Sequence, residues 1–392
     1  MKRSTNRILT THPGSIARPL DLIEGLLARD TGKPHDKAAL DARIKRAVTE
    51  VVRKQVECGV DIPNDGEQSK LSFVGYANDR ITGFEARPGQ GAPGGGLLGR
   101  ERKSFPEFYD WQARTQSAGV GGGGGFAQQV CVGPITYKGQ AAVKMDIDNL
   151  KASLQGLKHE EAFLPAASPT QLEGNRKNEY YKTEDEFLTA IANAMNVEFK
   201  AIVDAGMLVQ TDDPRLVTFY QSNPDMTVDQ VRKWAERRVE VINQSLKGIP
   251  TDKVRFHTCY SIDIGPRVYD MELKDIVDIM LKINGQAYSF EAANPRHDHE
   301  YHVWEKVKLP QGKILIPGVI SHTTNLVEHP ELVSERLVRY AKIVGRENVI
   351  AGADCGFAQG AFTRRVHPTI MWAKLKALSQ GAKVASKQLW RR

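Results

Sequence analysis

Short apolar runs alternate along this chain with longer stretches in which apolar residues recur every three or four positions. The short runs fall at 7–10, 60–63, 129–132, 207–211, 254–258, 287–290, 313–319 and 348–351. Each has the length of a strand buried on both faces, where polar alternation is not needed. Helical periodicity occupies 20–59, 185–205, 228–246, 273–283 and 330–344 between them. Eight such strands with helical sequence between them predict a single (β/α)8 barrel spanning 1–392. A doubly wound open sheet is the alternative. A ninth apolar run at 162–167 is rich in small residues and marked by prolines, and it reads as a loop.

Two glycine-rich stretches, 89–99 and 119–125, break the rhythm. The run 121–125 does not read as a phosphate cradle, because a strand follows it instead of preceding it. The whole span 83–127 reads as an excursion over one barrel mouth, an inserted glycine-rich loop region that could act as a lid.

Composition narrows the class. The chain has 392 residues, 41% of them hydrophobic, enough to bury the core of one large barrel or two average domains. The net charge of +7 is spread along the chain without a basic block, which reads as a solvated surface and not as a nucleic-acid footprint. A mild positive field suits an anionic substrate. No apolar run approaches the roughly 18–20 residues that cross a bilayer, so no membrane role is expected. The basic N-terminus has no apolar core behind it, so no secretory leader is read and a cytoplasmic protein is expected. A homo-oligomer stays open. The four cysteines, Cys58, Cys131, Cys259 and Cys355, include no CxxC pair. They are expected as free buried thiols or metal ligands, not as a disulfide framework.

Four residues sit at or just past predicted strand ends: His257, Cys259, Glu291 and Cys355. In a barrel those ends converge on the catalytic face. His257 and Cys259 are two apart, so in extended chain their side chains share a side. An imidazole, a carboxylate and two thiolates suit zinc in a tetrahedron. Spacing alone leaves the alternative of a core histidine, two inert thiols and an ion-paired glutamate.

The stretch His257-Thr258-Cys259-Tyr260-Ser261 resembles the HxCYS signature of cobalamin-independent methionine synthase. Phe290-Glu291-Ala292 falls where that family has its metal-binding glutamate, and Asp354-Cys355-Gly356 is similar to its DCG motif. Thr10-Thr11-His12-Pro13-Gly14-Ser15 resembles TTxxGS, Gly66-Glu67 resembles GE, and Asp212-Asp213-Pro214 stands in place of DEP. These motifs keep the family's order and cover nearly the whole chain. A closer resemblance is to the single-barrel epoxyalkane:coenzyme M transferase type. It rests on the stretch from Ser289-Phe290-Glu291 through Pro295-Arg296-His297 to His299-Glu300, on Gly133-Pro134-Ile135-Thr136-Tyr137, on Pro317-Gly318-Val319 with Ser321-His322, and on His367-Pro368.

The resemblance implies a zinc-dependent enzyme. Zinc would be held by His257, Cys259, Glu291 and Cys355, and a small thiol would be alkylated as a zinc-bound thiolate, by methyl transfer in the manner of methionine synthase. Glu291, the hard ligand among soft ones, would be the exchangeable one. The alkyl donor would be methyl-folate-like, or an epoxide in the alternative reading. A reading of another class is a thiol- or metal-binding barrel without turnover. His322 is the candidate acid for the leaving group, with His297 second. Ser15, Glu67 and Asp212 fall where the family holds an amino-acid thiol. Arg18, Lys70 and Arg296 are the candidates if the thiol carries a sulfonate. His299, His302 and His329 are read as surface or packing residues.

Overall fold

The computed structural model of the protein describes residues 1–87, 99–115, 128–174, 176–260, 265–358, 360 and 365–390. Its strands are β1 (Leu9–Thr10), β2 (Phe84–Arg87), β3 (Gln128–Cys131), β4 (Phe163–Ala167), β5 (Arg176–Asn178), β6 (Leu208–Asp212), β7 (Val254–His257), β8 (Ala287–Phe290), β9 (Ile314–Ile320) and β10 (Ile350–Ala353). Seven of them form one sheet in the order β1-β10-β9-β8-β7-β6-β4, and every pairing in it is parallel. All residues of β4, β6, β7, β8, β9 and β10 are buried. That double-sided burial is why β4, β8, β9 and β10 read as largely apolar runs, while β6 and β7 also carry the buried polar residues Gln210, Asp212, Arg255 and His257.

Helices cover the sheet. Glu184–Asp204 buries Phe187, Leu188, Ile191, Met195, Phe199 and Ile202 along one stripe, and it starts at a capping box. There Thr183 Oγ1 accepts from the Glu186 N–H at 3.1 Å while Glu186 Oε2 accepts from the Thr183 N–H at 3.2 Å. Val228–Ser245 opens on the same device, with Thr227 and Gln230. Pro330–Val344 packs against the C-terminal helix Pro368–Trp390.

The sheet curls until a single segment separates its two edges. On one side Ile62 forms a parallel bridge with Thr11, and its N–H donates to Thr10 O at 3.0 Å. On the other the Phe163 N–H donates to Pro63 O at 3.2 Å. The architecture is an α/β fold with a curled parallel sheet of half-barrel form.

Two expectations about strands are corrected. The run 162–167 is not a loop: it holds β4, whose five residues pair with β6. Pro165 is tolerated because β4 is the last strand of the ladder, so the missing N–H breaks no continuous pairing. The run 129–132 is not a stave of the main sheet. Its strand β3 lies between β2 and β5 in a separate three-stranded sheet. The stretch 20–59 divides into helices Leu20–Asp30 and Lys37–Glu57. The stretch 273–283 keeps only a short turn, Leu273–Asp275, and the four-residue helix Val277–Met280.

The glycine-rich run 89–99 lies outside the described residues except for Gly99, and 119–125 lies wholly outside them. The described parts of the excursion are β2 and the helices Gly99–Ser104 and Pro106–Thr115. Glu101 Oε1 accepts from the Tyr269 N–H at 3.0 Å, Ser104 Oγ donates to Tyr269 Oη at 2.8 Å, and Arg100 Nε donates to Tyr220 O at 2.8 Å. Gly99–Ser104 thus rests on the connections that follow β6 and β7. Among the described residues no helix is long and apolar enough to cross a membrane.

One close approach delivers a site residue. A Cβ on Gly318 of β9 would lie 2.5 Å from both the Cα and the N of Asp354, and the register between β9 and β10 shifts at Gly352 and Ala353. Only glycine lets the chain just past β10 fold in against β9. Gly318→Ala is therefore expected to lower unfolding stability by about 2 kcal/mol through overpacking, read as a lower urea midpoint at unchanged slope. A midpoint equal to that of the native chain contradicts this account.

Candidate metal and substrate site

His257 is the last residue of β7, Cys259 lies two residues on, and Cys355 follows β10 by two. Parallel strands carry all three to one end of the sheet. Their ligand atoms lie within 4.8 Å of one another, and all three residues are buried. Cys259 Sγ and Cys355 Sγ are 3.0 Å apart. His257 Nδ1 faces Ser289 Oγ at 3.2 Å, which leaves Nε2 to point elsewhere. That Nε2 is buried and has no hydrogen-bond partner. A buried polar atom without a partner calls for an explanation, and one beside two thiols suits a metal ligand. Burial, reinforced by the nearby Arg255 cation, pushes the His257 pKa down to about 3, so the ring is neutral and able to ligate. Two sulfurs and an imidazole nitrogen form three parts of a zinc donor set, and the residues fit that ion. Among the described residues this is the one such group of His, Cys, Asp or Glu side chains.

Glu291, one residue past β8, is not gathered into that group. Its Oε1 accepts from the Tyr260 N–H at 2.8 Å, and its Oε2 accepts from Asn294 Nδ2 at 2.8 Å and Arg267 Nη2 at 3.0 Å. Arg267 Nε also donates to Asp270 Oδ2 at 2.7 Å. Asp270 in turn faces His297 Nε2 at 3.1 Å, while His297 Nδ1 faces Glu300 Oε2 at 2.7 Å. The His297 ring stacks on Tyr260 at 3.9 Å. Burial alone would lower the His297 pKa, but the hydrogen bonds to Asp270 and Glu300 outweigh it and raise it to about 9. His297 is thus an imidazolium with both nitrogens engaged by carboxylates. Asp354 Oδ1 accepts from the Ala292 and Ala293 N–H groups at 2.7 and 2.8 Å, which fixes the chain after Glu291. Burial and the Glu291 charge push Asp354 up to about 7.

The motif residues of the N-terminal half meet this end of the sheet. Ser15 Oγ accepts from the Ala358 N–H at 3.2 Å. A Cβ on Gly356 would lie 2.1 Å from that oxygen, so the turn after Cys355 needs glycine to sit against Ser15. Glu67 is buried with φ +56°. Arg18 Nη2 lies 3.6 Å from Glu67 Oε2, and Arg18 also donates to Glu67 O and Ala358 O, each at 3.0 Å. Asp212 ends β6, and its Oδ1 accepts from Gln210 Nε2 at 2.7 Å. Burial raises the pKa of Glu67 against the pull of Arg18 and Lys70; burial and the Glu67 charge raise that of Asp212 well above the ordinary range. An incoming cation would favour the charged form of both. Lys70 Nζ donates to Pro165 O at 2.8 Å and lies 4.2 Å over the Tyr76 ring. Arg296 is exposed and donates to the carbonyls of Arg267 and Val268 at 2.9 and 3.4 Å. His322 is buried, two residues beyond β9. His299, His302 and His329 are exposed. Sequence reading missed Arg267, Asp270 and Asn294, and it quoted Glu300 in a motif without giving it a role. The one sequence signal for Arg267 and Asp270 is the Gly265-Pro266-Arg267 stretch with Asp270 three residues on, which is weak.

A curled parallel α/β sheet with a thiol–imidazole cluster at its strand ends defines a class of barrel-like α/β proteins. Residues 176–376 match the family described as cobalamin-independent synthase, catalytic domain, and the chain belongs to that family. Membership makes it an enzyme of the methyltransferase class. A methionine synthase of Saccharolobus islandicus is 25% identical over 385 residues, covering 98% of this chain and 96% of the relative. One of Sulfolobus acidocaldarius is 25% identical over 348 residues, covering 88% and 85%. Among solved structures, a B12-independent methionine synthase from Shewanella in complex with selenomethionine superposes with a TM-score of 0.72 at 19% identity, covering 98% of this chain and all 100% of that one. A candidate B12-independent methionine synthase from Listeria monocytogenes gives 0.66 at 18% identity, covering 97% and 99%. At these identities the structures establish likeness of fold.

The His297 clamp sets a pH dependence. Its folded pKa of about 9 lies above the ordinary histidine value. The stabilisation is therefore fully present below about pH 6.5 and is lost as pH rises through 9. The urea midpoint should fall over that window, and His297→Gln should flatten the fall. Parallel profiles for the two proteins contradict the clamp.

Proposed function

We propose that this enzyme transfers a methyl group to the sulfur of homocysteine in the manner of methionine synthase, with zinc at His257, Cys259 and Cys355 and with Glu291 as the exchangeable fourth ligand. The observation that carries the reading is the buried convergence of two thiols and an unpartnered imidazole nitrogen. Zinc, when bound there, supplies the charge that keeps a thiol deprotonated at neutral pH.

The chain's own residues do the rest. Asp212 is a buried carboxylate pushed toward its neutral form by burial and by Glu67, and Glu67 is paired with Arg18; an α-ammonium group between the two would add a cation for Asp212. Ser15, at the end of the Thr10–Ser15 motif, is fixed by the Ala358 N–H. Arg18 and Lys70 already donate to the carbonyls of Glu67, Ala358 and Pro165, and Arg296 to those of Arg267 and Val268. That makes an amino-acid thiol a better fit than a sulfonate thiol, and it sets the epoxide-opening reading second. In the transfer the thiol proton goes to solvent, a sulfur lone pair takes the methyl carbon, and the carbon–nitrogen bond of the donor breaks. The departing nitrogen takes a proton from His322. In this reading segment 60–63 serves as the eighth stave that closes the barrel.

The test is methyl transfer to homocysteine from a methyl-folate donor, run beside 2-mercaptoethanesulfonate with an epoxide. Cys259→Ser and Cys355→Ser should each lose zinc and turnover while keeping the fold. His322→Ala should lower turnover by roughly a hundredfold with zinc content intact. Full zinc occupancy in both cysteine variants refutes the ligand set, and an unchanged rate in His322→Ala removes that histidine from the reaction. Absence of turnover with every thiol would favour a binding barrel.

A further inference from the structure

Glu67 and Arg267 are the two non-glycine residues with positive φ among the described residues, at 56° and 55°. Such backbone persists where surrounding structure enforces it, and it gathers at functional sites. Glu67 belongs to the substrate pocket proposed above. Arg267 has no role in it, yet it is buried and held from several sides. Its carbonyl accepts from Arg296 Nε at 2.9 Å, and the neighbouring Tyr269 is gripped by Glu101 and Ser104 of the excursion. Its guanidinium lies 5.5 Å over the Tyr260 ring. From that position it reaches Glu291 and Asp270 at once.

We infer that Arg267 is the positioning residue that receives the Glu291 carboxylate when a thiol takes its place at the metal. The inference rests on the thiol-transfer reading and concerns how the exchange becomes affordable in a dry site. A carboxylate leaving a cation inside a protein is stranded unless another cation and hydrogen-bond donors meet it. Arg267 Nη2, Asn294 Nδ2 and the Tyr260 N–H are those partners, at 3.0, 2.8 and 2.8 Å. The Tyr260 N–H belongs to the residue after Cys259, so the receiving pocket is built onto a ligand-bearing turn. Asp270, tied to both Arg267 and His297, keeps the guanidinium aimed. Glu291 then has two homes within one buried network, and Arg267 sets the balance between them.

The experiment measures two equilibria. Zinc affinity is read by competition with a chromophoric chelator, and homocysteine affinity by titration of the zinc-loaded enzyme. Both are measured for the native chain, Arg267→Gln, Glu291→Gln and the double variant. In Arg267→Gln, Glu291 loses its alternative partner. Zinc should be held at least as tightly as in the native chain, and homocysteine should bind about tenfold or more weakly. In the Glu291→Gln background the same Arg267 change should have little effect on homocysteine, because the competing carboxylate is gone. An equal loss in both backgrounds, or no loss in either, overturns the inference. Should Arg267→Gln fail to fold, Arg267→Lys retains the charge without the two-pronged geometry. It should shift homocysteine affinity in the same direction and show the same dependence on Glu291, and absence of that dependence overturns the inference as well. A native enzyme that holds zinc yet binds no homocysteine overturns the thiol-transfer reading, and the inference with it. Homocysteine binding that ignores Arg267 overturns the inference alone.

Discussion

A parallel sheet ends all its strands on one side, and the rest of this molecule depends on that constraint. His257, Glu291, His322 and Cys355 are scattered over the C-terminal half of the chain, yet each lies at or within two residues of the end of β7, β8, β9 or β10. Asp212 ends β6, and the TTxxGS-like motif follows β1. The strands are buried along their length, so their registers are fixed by packing on both faces. The chemistry inherits that precision. Gly318 shows how little slack there is: the segment carrying Asp354 and Cys355 lies where a methyl group would stand.

The second governing fact is buried charge. Glu67, Asp212, Glu291, Asp270 and Glu300 are all buried, as are Arg18, Arg267 and His297. In low dielectric such groups are kept only in answer to one another. Two sets result. Around Glu291 the charges are tied together, from Arg267 through Asp270 and His297 to Glu300. Around Glu67 and Asp212 burial and neighbouring carboxylates raise both carboxyls, and Arg18 and Lys70 answer part of that charge.

Much of this was legible in the sequence, for physical reasons that also explain what was not. The strands of the sheet announced themselves because double-sided burial leaves largely apolar runs, and the ligand motifs because they sit at the ends of those runs. Strand β4 escaped because Pro165 normally marks a loop, and its tolerance at the last rung of a ladder depends on which strands are neighbours. Strand β3 was seen but assigned to the wrong sheet, since pairing with β2 and β5 is a non-local fact. His257, Cys259 and Cys355 came together as the motifs implied, whereas Glu291 lies with Arg267. His297 and Glu300 stood in a motif, but their linkage through Asp270 to Arg267 left no trace, because ion pairs between loops follow no periodicity.

The central claim is that the His257, Cys259 and Cys355 cluster binds zinc in order to hold a substrate sulfur. Zinc-edge X-ray absorption on the enzyme, before and after homocysteine is added, tests it most directly. The account predicts a shell of two sulfurs, one nitrogen and one oxygen at rest, becoming three sulfurs and one nitrogen with homocysteine, with the oxygen contribution lost. A sulfur count that stays at two when homocysteine is present would contradict it.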